Sequence, residues 1–147
     1  MSTFTRRRRA ILLVAAVATI ATGLAVHGLA GGWAGGFVAD ALYAVLMVVL
    51  VAIVAPRAPS VAVGAIGLAV CVAVELFQLT GVPARLSATV PGAELVLGST
   101  FQATDLLAYA VGAAVATLAD VLVRRRAAGS SRGARTTPSA DAPEPRL

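Results

Sequence analysis

Glu75 and Gln78 lie on one face of the apolar run Val70-Cys-Val-Ala-Val-Glu75-Leu-Phe-Gln78-Leu-Thr80. A carboxylate within such a segment is expensive and must face other protein or a water-filled cavity. It also sits in the last turns of its helix, where the helix dipole opposes negative charge. Something has to compensate it. The candidates at similar depth are Asp40, Asp105, Tyr109 and, in the following connection, Arg85. Three acids against one arginine leave two solutions: one acid is protonated, or a cation shares the site. Two roles stay open for this cluster of Glu75, Gln78, Arg85, Asp105, Asp40 and Tyr109. One is a Glu75–Arg85 clamp that pins the connection. The other is a ligand site.

Catalytic chemistry has little support. Paired carboxylates such as Glu75 and Asp105 can do acid–base work when burial holds one near neutrality. The chain carries no Ser-His-Asp arrangement, GxSxG, HExxH, CxxC or Walker loop, and no catalytic residue is assigned. The carboxylates come from three separate segments without ligand spacing, so neither a metal nor another cofactor is expected. His27 has no second histidine and reads as an interface residue. Asp120 and Arg124 read as an i,i+4 pair. Asp40 and Asp105 read as first-turn acids favoured by helix dipoles, with Ser99-Thr-Phe-Gln102 as a capping box before Asp105. Cys71 reads as a small packing residue.

These residues need elements to position them. The 147 residues are 59% hydrophobic and only 13% charged, with mean hydropathy +0.88. Soluble domains carry about a quarter charged residues. Apolar segments run from about Ala10 to Val26, Phe37 to Ala55, Val61 to Thr80 and Gln102 to Val123. Each approaches the roughly 20 residues that span a bilayer as a helix. The expected fold is all-α: an integral membrane bundle of four transmembrane helices. A long apolar outer loop, Gly81 to Phe101, joins helices three and four and rests on the outer leaflet, with a short helix. Residues 1–9 form a basic N-terminus, 10–123 the membrane domain and 124–147 a disordered tail. The first apolar run reads as a retained helix, not a cleaved signal.

The net charge of +5 comes from 12 arginines and no lysine. Arg6 to Arg9 precede the first segment, and Arg124 to Arg126 follow the last. This is the layout of juxtamembrane anchors, not of a nucleic-acid binder. With the N-terminus inside, Arg85 is the single outer arginine, which places both termini in the cytoplasm. Gly28 to Gly36 then forms an outer turn, with Trp33 and Phe37 at the interface. Pro56-Arg-Ala-Pro59 forms an inner one. Small residues at Gly64, Gly67 and Cys71 match a stripe at Ala108, Gly112 and Ala116, so helices three and four are expected to pack through them.

Asp40-Ala-Leu-Tyr43, Glu75-Leu-Phe-Gln78, Ala84-Arg85, Leu95-Val-Leu-Gly98-Ser-Thr-Phe101 and Asp105-Leu-Leu-Ala-Tyr109-Ala-Val-Gly112 together resemble a bacterial membrane family. It is catalogued as domain of unknown function 2809. Glu-x-x-Gln, a following Arg, then Asp before a Gly-bearing helix is also similar to the VanZ-like proteins. The resemblance covers about residues 10 to 122. It implies a bacterial cytoplasmic-membrane protein acting in envelope biology at the outer face. It marks Glu75, Gln78, Arg85 and Asp105 as motif positions. VanZ itself is associated with low-level teicoplanin resistance. Tyr109, where an Asn is typical, and the longer apolar loop depart from that pattern.

The expected function is a polar pocket at the outer leaflet that binds an envelope lipid or cell-wall precursor, with Arg85 on its anionic group. The alternatives are a structural subunit of a larger membrane assembly, held as a homo-oligomer or by a membrane-protein partner, and a membrane enzyme using Glu75 and Asp105. A standalone transporter is disfavoured, since four helices without an inverted repeat enclose little.

Overall fold

The computed structural model describes residues 3–98 and 101–133. Six helices follow in order: α1 (Thr3–Leu29), α2 (Gly32–Val54), α3 (Ser60–Gln78), α4 (Val82–Thr89), α5 (Ala93–Leu97) and α6 (Ala103–Gly133). Among the described residues there is no strand. Four of the helices, α1, α2, α3 and α6, are long and apolar enough to cross a membrane. The chain is an all-α, multi-pass membrane protein. Its shortest span, α3, has 19 residues and is about 28 Å long, close to the bilayer core.

Three helix boundaries differ from expectation. Both ends of the bundle extend outward: α1 takes in Arg6 to Arg9, and α6 continues through Arg124 to Arg126 as far as Gly133. Ala and Arg are strong helix formers, so the helices continue where hydrophobicity stops. The rest of the anticipated tail, like the capping residue Ser99, falls outside the described residues. Helix α2 starts at Gly32, earlier than Phe37, and the turn between α1 and α2 shrinks accordingly. The reversal is tight because Gly35 lies against the carbonyl of Ala30, where a Cβ would collide.

Helix α2 is the centre of the bundle and packs on α1, α3 and α6. The backbone of α1 lies against α2 alone. Lipid tails are as apolar as leucine, so close packing of small residues drives association instead. Those contacts correct the expected pairing of stripes. Gly64 of α3 does meet α6, at Thr117. Gly67, however, packs on Val48 of α2, and Gly112 of α6 packs on the carbonyl of Ala41 in α2. The glycines therefore bring both α3 and α6 onto α2. Val48, Ala52, Val63 and Ala113 form one core cluster; Ala44, Cys71 and Tyr109 form another.

One end of the bundle is closed by ions. Asp120 of α6 accepts from Arg8 Nη2 at 2.9 Å, from Arg124 Nε at 2.9 Å and from the Ser60 hydroxyl at 2.7 Å. Arg8 also donates to the carbonyl of Pro56, and Arg124 Nη2 to that of Ala58 at 2.8 Å. The expected Asp120–Arg124 pair is thus part of a wider network. It ties α1 and α6 to the α2–α3 turn. We call this the basic end.

Candidate functional site at the acidic end

Asp40, Glu75 and Asp105 gather at the opposite end, from α2, α3 and α6. Glu75 is 0% exposed. Its Oε1 accepts the backbone N–H of Gln102 at 2.6 Å, and its Oε2 accepts the Tyr109 hydroxyl at 3.2 Å. Gln102 leads directly into α6. The compensation for this carboxylate is therefore the N-terminus of a neighbouring helix, with its unpaired N–H groups and partial positive charge. The anticipated Glu75–Arg85 clamp is not what the structure forms. Arg85 is exposed on α4, and Asp120 is the acid in both ion pairs found among the described residues. A backbone donor supplies Glu75 without drawing a guanidinium into an apolar layer.

Gln78 shares this face. It is buried, and its Nε2 donates to the carbonyl of Leu97 at 2.8 Å. Gly98 has no Cβ, which leaves room for the amide. Gln78 Oε1 is buried without a partner. Glu75 and Gln78 thus hold two points of one segment, the end of α5 and the start of α6, onto α3. The connection from α3 is itself ordered. Gly81, with φ 70°, adopts the left-handed conformation and is the residue from which α4 starts. Ser87 donates to the Gly98 carbonyl at 3.2 Å, and Tyr43 to that of Val96 at 2.9 Å.

Asp40 and Asp105 lie closer to the surface. Both carboxyls face one cleft. The Thr104 hydroxyl donates to Asp105 Oδ1 at 3.3 Å. Asp105 is in the first turn of α6, as expected, but Asp40 is well inside α2 and has no first-turn dipole to favour it. A partly open cleft of about 180 Å³ runs past this pair. Trp33, Phe37 and Asp40 of α2 line one wall, and Gln102, Thr104 and Asp105 the other. The Trp33 and Phe37 rings are 5.6 Å apart. Carboxyl oxygens beside aromatic faces suit a cation, an ammonium above all. Among the described residues, no three His, Cys, Asp or Glu side chains are arranged to hold a metal ion.

A family model described as Protein of unknown function (DUF2809) matches residues 29–113, more than half of the chain. The chain belongs to that family. The DUF2809 match begins at the end of α1 and stops within α6. It takes in every residue of the acidic end and leaves out Arg8, Asp120 and Arg124 of the basic end. No match was found among curated proteins or among solved structures.

Of the residues expected to cluster, five come together in two layers. Glu75, Tyr109 and Gln78 form a buried layer; Asp40 and Asp105 form the cleft layer. Arg85 belongs to neither, because α4 packs on α3 and α5 and not on the cleft-lining α2 and α6. His27 is exposed at the end of α1. Sequence reasoning missed Trp33, Phe37 and Thr104 as cleft residues. Their signal was present: Trp33, Phe37 and Asp40 fall at i, i+4 and i+7, one face of a helix that starts at Gly32.

Proposed function

We propose that this protein binds the headgroup of an envelope lipid or cell-wall precursor in the acidic-end cleft, through a cationic, amine-bearing group. The carrying observation is that Asp40 and Asp105 line one cleft with Trp33 and Phe37. The arginines of the basic end favour the cytoplasm, so the cleft opens at the outer leaflet of a bacterial membrane. The likeness to VanZ-like proteins agrees with envelope biology. Glu75 acts as a positioning residue: it fixes the start of α6 and with it one wall of the cleft. Both Glu75 oxygens are engaged and Glu75 does not line the cleft, which favours this role over acid–base catalysis.

Native mass spectrometry of the gently extracted protein tests the reading. We expect an adduct with the mass of an amine-bearing lipid or precursor on the wild type that is lost in the folded variant Asp40→Asn/Asp105→Asn and kept in Arg57→Gln/Arg125→Gln/Arg126→Gln. An amine-bearing adduct that survives in the aspartate variant, or none on the wild type, would refute the reading.

A further inference from the structure

The basic end has a surface that the cleft reading does not use. Helical hairpins bring Arg6 to Arg9 of α1, Arg57 of the α2–α3 turn and Arg124 to Arg126 of α6 to one end of the bundle. Asp120 is the one acid there among the described residues. Its two oxygens are already occupied by Arg8, Arg124 and Ser60. Arg6, Arg7, Arg57, Arg125 and Arg126 are exposed. Among the described residues no acid pairs with them. The network also orders the turn: Arg8 and Arg124 take the carbonyls on either side of Arg57, which holds that guanidinium at the rim.

Immediately inward of these arginines the surface is apolar. Val54 and Val61 flank the turn at 79% and 71% exposed, Val14 on α1 is 70% exposed, and Val123 on α6 is 63% exposed. A ring of guanidinium groups above an apolar wall has the two-part chemistry of a phospholipid. Acyl chains lie along the valines, and the phosphate oxygens accept forked hydrogen bonds from arginine, which a lysine ammonium could not provide in the same geometry. A net anionic headgroup matches the clustered arginines; a zwitterionic one brings its own cation into the ring.

We propose that the basic end is a binding surface for anionic phospholipid, with Arg57, Arg125 and Arg126 as its headgroup contacts. It lies at the opposite end of the bundle from the cleft and stands whether or not the cleft binds a ligand.

The test places the full chain in nanodiscs of equal phosphatidylglycerol and phosphatidylcholine, re-extracts it and measures retained lipid by native mass spectrometry. The wild type should retain phosphatidylglycerol in preference. The variant Arg57→Gln/Arg125→Gln/Arg126→Gln leaves the Asp120 network intact and should lower that preference by roughly tenfold or more. Arg57→Gln alone serves if the triple variant does not fold, with a drop of roughly fivefold. Equal retention of the two lipids by the wild type, or an unchanged preference in the folded variants, would overturn the proposal. In detergent, added phosphatidylglycerol should raise the thermal midpoint where the same concentration of inorganic phosphate does not. An equal rise with phosphate would overturn the assignment to lipid.

Discussion

Replacing Glu75 separates hydrogen-bond geometry from charge. In Glu75→Ala the partly buried Gln102 N–H and the buried Tyr109 hydroxyl both lose their acceptor. A stranded buried donor costs about 1–3 kcal/mol. The cavity left by the side chain adds about 1 kcal/mol. With the partly buried Gln102 N–H at the low end, about 1 kcal/mol, the sum is about 3–5 kcal/mol, a large share of the stability of a small protein. Glu75→Gln keeps the volume. Its amide oxygen still accepts from Gln102, and its NH₂ can donate to the Tyr109 oxygen once the hydroxyl proton rotates away. What remains is the loss of a charged acceptor at a helix N-terminus, about 1 kcal/mol. Unfolding in mixed micelles, by titrating in SDS and following helical circular dichroism, measures both variants. Glu75→Ala should shift the midpoint far more than Glu75→Gln. Equal shifts would show that Glu75 acts through its charge and would refute the cap.

Four further variants can be checked on the same preparations. Gly112→Ala pushes a methyl group into the Ala41 carbonyl and should destabilise by about 1–3 kcal/mol. Gly23→Ala meets nothing within 4 Å and should stay within about 0.5 kcal/mol of the wild type; a similar loss in both would contradict the packing of α6 on α2. Asp120→Asn weakens two partly exposed ion pairs and should cost about 1–2 kcal/mol, read from the SDS midpoint, with most of that effect absent when Arg8 and Arg124 are already glutamine. Gln78→Leu removes the bond to the Leu97 carbonyl and should speed limited proteolysis between residues 81 and 101 while leaving the helix content unchanged; an unaltered cleavage rate would mean that other contacts hold α5.

The two ends of the bundle divide the chain's charge in a way that makes physical sense. At the basic end, among the described residues, a single aspartate organises arginines from α1 and α6. At the acidic end the carboxylates meet backbone and hydroxyl donors, and no arginine is drawn in from α4. The DUF2809 match covers the whole second arrangement but, of the first, only the α2–α3 turn and Ser60. Substitutions at the cleft and at the arginine ring should therefore act independently, since the two sites share no partners.

The spans could be read directly from the sequence. A bilayer core admits only helices with satisfied backbones, so apolar length alone located α1, α2, α3 and α6. Pro56 and Pro59 bounded the turn between Val54 and Ser60 for the same local reason: proline cannot continue a helix. The depth of Asp40, Glu75 and Asp105 followed from counting residues. Their partners did not. Side-chain inventory pointed Glu75 toward Arg85, whereas its strongest partner is the main-chain N–H of Gln102, a group every residue but proline carries and no sequence pattern marks. The glycine stripes announced close approach but not to which helix, and tertiary packing chose α2 for both Gly67 and Gly112. Composition sets which surfaces must meet lipid, because that depends on each residue's own transfer free energy; which buried donor meets which acceptor depends on the relative placement of helices, and only the folded bundle decides it.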